Sequence, residues 1–97
     1  MLSVFFLTAT LLISQDLSPY FELVEQGDVD KAREEIARLT EQFPDNAGVM
    51  YLDALTTERA EDAVIAYRKL IQYHPASPYA DDAAMKVGEY LYARGLY

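Results

Sequence analysis

Two stretches of this 97-residue chain superimpose without a gap. "YFELVEQGDVDKAREEIARLTEQFP" runs from Tyr20 to Pro44, and "YLDALTTERAEDAVIAYRKLIQYHP" runs from Tyr51 to Pro75, an offset of 31 residues throughout. Tyr20 falls on Tyr51, Ala32 on Ala63, Leu39 on Leu70 and Pro44 on Pro75. Few residues are identical, but the alternation of size and polarity is kept. Self-similarity at such a period is the mark of a repeat architecture, in which each unit buries its apolar face only against its neighbours.

Each copy reads as two helices. In the first, Ser18 can cap a helix and Pro19 can occupy its first turn, with Tyr20, Leu23 and Val24 on one face. Gly27 breaks the helix and Asp28 is positioned to cap the next. That helix is expected from Val29 to Phe43, with Ala32, Ile36, Leu39 and Phe43 at amphipathic spacing, and Pro44 ends it. In the second copy Tyr51, Leu52 and Leu55 serve the first helix, and Ala63, Tyr67, Leu70 and Ile71 the second. Ala32 and Ala63 fall where the helices of a hairpin would cross closely. A third unit opens at Ser77 and Pro78, with Asp81 and Asp82 in its first turn, Ala84, Val87, Gly88 and Leu91 as its expected packing face, and Gly95 at its end. The expected fold is all-α: stacked antiparallel helix pairs, about five helices, with units at 18–44, 47–75 and an incomplete one at 77–97.

These residues resemble tetratricopeptide repeats: the Ala32 and Ile36 spacing closed by Pro44, the Ala63 and Tyr67 spacing closed by Pro75, and Ala84, Val87, Gly88 and Leu91 followed by Gly95. Within that superfamily the junction "YHPASPYADDAAMKVGEYLYARGLY", from Tyr73 to Tyr97, is similar to a bacterial cell-envelope branch. That branch contains the Tol–Pal-associated periplasmic coordinator and the outer-membrane barrel-assembly lipoprotein. The resemblance implies a non-enzymatic protein-binding scaffold whose partners lie in the concave face of the repeats. If helix phases carry over, Tyr51, Leu55, Met85, Glu89 and Tyr92 would line that groove. The period is three residues short of the usual 34, so stubby first helices are expected.

The first segment has a different character. "MLSVFFLTATLLIS" is uncharged, and all eight basic and sixteen acidic residues lie at or beyond Asp16. Its apolar core from Val4 to Ile13 has the length of a signal-peptide core and is too short to span a bilayer. Residues 1–14 are therefore expected to be an export leader, with an uncleaved apolar anchor or a first helix packed into the fold as the alternatives, and the localisation is expected to be periplasmic. The chain has no cysteine, which excludes a lipidated N-terminal Cys, disulfides and thiolate zinc sites. A net charge of −8 argues against nucleic acid as a partner.

Catalytic chemistry finds little support. His74 stands beside Pro75 at a helix end, where capping accounts for it. Asp81 and Asp82 are adjacent on a helix and point about 100° apart, which suits a helix N-terminus better than a shared metal or acid–base pair. No phosphate-binding glycine loop is present. The expectation is a non-enzyme with no cofactor or metal and with protein or peptide partners. Weak self-association is also expected, through Ala84, Val87 and Leu91. An alternative is the N-terminal regulatory or positioning module of a longer envelope enzyme or wall-binding protein.

Overall fold

The computed structural model describes residues 16–95, so the expected leader at 1–14 lies outside the described residues. Among the described residues there are five α-helices and no strand: α1 (Ser18–Glu25), α2 (Val29–Gln42), α3 (Ala47–Leu55), α4 (Ala60–Tyr73) and α5 (Pro78–Ala93). Consecutive helices pack as neighbours, and α3 also touches α5. Two pairs, α1–α2 and α3–α4, are thus followed by a third first-helix. The first helices of the two pairs are short, at 8 and 9 residues, whereas α5 has 16.

Local chemistry sets the boundaries. Gly27 and Gly95 end α1 and α5 with positive φ of 86° and 71°, a region that costs other residues a steric clash. Asn46 and Ser77, one 31-residue repeat apart, start α3 and α5 in the same way. The Asn46 side chain accepts from the Val49 N–H at 3.1 Å, and Ser77 Oγ accepts from the Tyr79 N–H at 3.1 Å. Pro78 then occupies the first turn, as expected. Two expected caps differ. Ser18 is already helical, and its N–H donates to the Asp16 carboxylate at 3.2 Å. Asp28 holds the N-cap position of α2 but makes no side-chain cap bond. The ends of α2 and α4 fall before Pro44 and Pro75, with Phe43 and His74 as their last half-helical residues.

The core divides around α3. Ala32, Ile36 and Leu52 form one buried cluster, with Tyr20, Phe21, Leu23 and Val24 of α1 against it. Tyr51, Ala54, Tyr67, Leu70, Ala80 and Ala83 form the other. Tyr51 and Leu52 are adjacent, so their side chains diverge around the helix and serve different clusters. Most of α3 is interior, and it buries Gly48, Val49, Tyr51, Leu52 and Ala54 while Asp53 stays exposed. Each pair is therefore sewn to the next through α3.

Two expected packing positions on α5 are corrected. On α5 the buried face is Ala80 and Ala83, with Val87 packed against the core, whereas Ala84 and Gly88 are exposed. Tyr73 is 61% exposed. Its place at the end of α4 is one residue off the stripe of Val64, Tyr67, Leu70 and Ile71. Ala63 is only partly buried where Ala32 is fully so, although the two are equivalent in the repeat.

The tightest approach lies at the starts of the first helices. Leu17, Gly48 and Tyr79 recur at one repeat position, 31 residues apart, and meet in space. A Cβ on Gly48 would lie 2.5 Å from Leu17 Cδ1 and 3.0 Å from the Tyr79 ring. Beyond Gly48, four aromatic rings join the three units. Phe21 stacks on Tyr79, both contact Tyr51, and Tyr51 meets Tyr67 at 5.7 Å between centroids.

Candidate protein-binding surfaces

Met85, Glu89 and Tyr92 are spaced four and three along α5 and so share one stripe of it. Met85 is 67% and Tyr92 72% exposed. Glu89 is also exposed, and its carboxylate takes an ion pair from Lys86 Nζ at 3.8 Å. Tyr51 and Leu55 are spaced four along α3, but their surroundings differ from those of the α5 stripe. Tyr51 is buried, and Leu55 is partly buried against the same cluster.

Electrostatics tie the two helices together. Burial pushes the Tyr51 hydroxyl pKa up, and the charges of Asp82 and Glu89 add to the shift. Burial raises Tyr67 to about 12, with Tyr51 and Glu89 contributing. Glu89 is thus the member of the α5 stripe that the fold brings toward Tyr51 and Tyr67. Of the five groove candidates, the structure joins Tyr51, Leu55 and Glu89 around one cluster and leaves Met85 and Tyr92 as outward apolar surface.

At the far end of the α3–α4 pair, Arg33 organises a polar corner. Its Nε donates to the Thr56 carbonyl at 3.0 Å, and Nη1 pairs with Asp30 at 2.8 Å and Glu58 at 3.5 Å. A cation at a helix C-terminus is well placed against the exposed carbonyls. Thr56 is buried, and its hydroxyl donates to the Leu52 carbonyl at 2.9 Å. This corner is accounted for by helix capping.

His74 forms the C-cap of α4, its N–H donating to the Leu70 carbonyl at 2.8 Å. Asp81 and Asp82 are both exposed near the start of α5. Among the described residues there is no group of three His, Asp or Glu side chains able to hold a metal ion.

A groove of about 640 Å³ opens between α2 and α4 over α3, with Thr40, Asp45, Met50, Asp53, Lys69 and Tyr73 among its lining residues. Sequence reasoning missed it. The helical stripes show which side chains face inward, but not how far apart two second helices stand.

The family model of the tetratricopeptide repeat matches residues 4–46. That match supports the tetratricopeptide repeat family. It takes in α1 and α2 and begins within the uncharged N-terminal run. No curated protein and no solved structure matches the chain significantly. Together with the five helices, the match agrees with an all-α helical repeat. Tetratricopeptide repeats generally mediate protein–protein interactions and typically serve as non-enzymatic scaffolds. The match does not distinguish the cell-envelope branch from the rest of the superfamily.

Proposed function

We propose that this chain is a non-enzymatic protein-binding scaffold of the bacterial cell envelope that receives partners along its first helices, on the face carrying Met85, Glu89 and Tyr92. The supporting observation is the pair of large apolar side chains, Met85 and Tyr92, held exposed on one stripe of α5. Met offers an adaptable surface and Tyr a rigid, amphipathic one, and both are enriched at interfaces. The envelope assignment draws on the uncharged run at residues 1–14 and on the junction from Tyr73 to Tyr97. The lack of cysteine favours a form without a lipid anchor.

The test is site-specific photo-cross-linking in the bacterium that makes the chain, with the cross-linker at Met85 and a control at Arg68 on the exposed side of α4. One discrete envelope protein captured from Met85, and lost in Tyr92→Ala, supports the reading. Equal labelling from both positions, or recovery of the chain only from the cytosol with Met1 intact, counts against it.

A further inference from the structure

The groove between α2 and α4 has walls of opposite character. Its floor is aliphatic, with Val49 and Met50 of α3 and Ala66 of α4. Asp45, in the turn before α3, and Asp53, on α3, both line it and are both exposed. Neither carboxylate is in an ion pair among the described residues. On the α4 side Tyr73 stands 61% exposed, with Lys69 Nζ 5.9 Å from its ring centroid. The groove thus offers two uncompensated carboxylates, an accessible aromatic ring and an apolar floor. Its volume of about 640 Å³ lies in the range of small-ligand and peptide side-chain pockets.

We propose that this groove docks a short extended segment of a partner protein in which an arginine neighbours an apolar residue. Two carboxylates against one ammonium, in a chain of net charge −8, favour a cationic guest. Arginine fits better than lysine. Its planar guanidinium can fork onto carboxylate oxygens and lie on a tyrosine face, and it is more weakly hydrated than an ammonium. The apolar neighbour fills the floor over Met50 and Ala66. Lys69 gives way readily, because its contact with Tyr73 is long and on the surface. The inference rests on the protein-binding reading above but concerns a different face of the molecule from the Met85 stripe.

Titration of the ¹⁵N-labelled chain with the acetylated, amidated pentapeptide Gly-Leu-Arg-Leu-Gly, followed by NMR, tests it. Shifts are expected at Met50, Asp53, Lys69 and Tyr73, and the same peptide with glutamate in place of arginine is expected to cause none. The double variant Asp45→Asn/Asp53→Asn should weaken binding by about tenfold, the scale of two exposed charge pairs. Its circular dichroism should be unchanged, since neither carboxylate holds the fold. Tyr73→Leu should weaken binding less, and added salt should weaken it further. The proposal is overturned by equal binding of the glutamate peptide, by an unaffected double variant, or by the absence of any shift at millimolar peptide. Shifts confined to Leu55, Glu89 and Tyr92 overturn it while leaving the first-helix reading standing. Dimerisation that depends on Asp45 and Asp53 overturns it in favour of a second copy of the chain. Failure of the Met85 cross-link with an intact groove response removes the first-helix reading alone.

Discussion

Phe21 and Tyr79 lie ring on ring, with centroids 6.1 Å apart and planes 3° from parallel, although one belongs to the first unit and the other to the third. The contact bypasses the middle unit, so it couples helices that are distant in sequence. A double-mutant cycle of Phe21→Ala and Tyr79→Ala should return a coupling of about 0.5–1.5 kcal/mol, the range for such aromatic pairs. Additive losses in urea unfolding would show that the stack carries no energy of its own.

Gly48, in the first turn of α3, and Gly88, in the interior of α5, are helical glycines with opposite surroundings. A methyl group at Gly88 meets nothing within 4 Å. Gly88→Ala should therefore stabilise the fold by about 0.5–1 kcal/mol through backbone entropy and helix propensity. At Gly48 the same change drives a methyl group into Leu17 and the Tyr79 ring. Leu17 can rotate away, but the ring is held by Phe21 and Tyr51. Gly48→Ala should cost about 1 kcal/mol net despite the gain in propensity. Thermal melts of the two variants should shift in opposite directions.

Ala32 and Ala63 are repeat equivalents but differ in burial. Ala32 is fully buried, and Ala63 is partly open. Replacing Ala32 with Trp should destabilise by about 3 kcal/mol or prevent folding, as overpacking in a closed site does. Ala63→Trp should lie at the lower end of the overpacking range, about 1 kcal/mol. Equal losses from urea titrations would contradict the difference in burial.

Alkaline pH should loosen the fold through Tyr67. Its hydroxyl pKa is pushed from 10.0 to about 12 by burial, with Tyr51 and Glu89 adding to the shift. The folded state therefore holds its proton where the unfolded state has released it. The stabilisation is whole below pH 10 and is lost as pH rises through about 12. Tyr67→Phe keeps the ring and removes the ionisation, so its stability should fall less steeply across that window. Phenolate absorbance against pH should show the variant lacking one of the late-titrating tyrosines of the parent, with the raised Tyr51 still present.

The repeat was legible because its punctuation is chemical: Ser77-Pro78, Gly27, Gly95 and the two closing prolines each act on their own backbone. Asp28 and Ser18 were less legible, since a cap needs the side chain to turn back onto an N–H, and composition does not set that torsion. The phase of α5 turned on adjacent alanines. Ala83 and Ala84 are chemically identical, and only the neighbouring helices decide which is buried. Tyr73 was ambiguous for a related reason, because a stripe can continue three or four residues past Leu70. The cleft between α2 and α4 has no signature in the sequence, because it is a distance between elements.

The meeting of Leu17, Gly48 and Tyr79 has a mechanical consequence. Three residues at one repeat position form a column along the edge of the stack, and the side with the shorter spacing becomes the inside of the bend. The middle residue has no side chain, so the outer two can close over it. The volume at this single site is thus expected to influence the curvature of the array. Larger residues at Gly48 would act as a wedge, straightening the solenoid and changing the reach of any surface that spans several units, even where each helix remains intact.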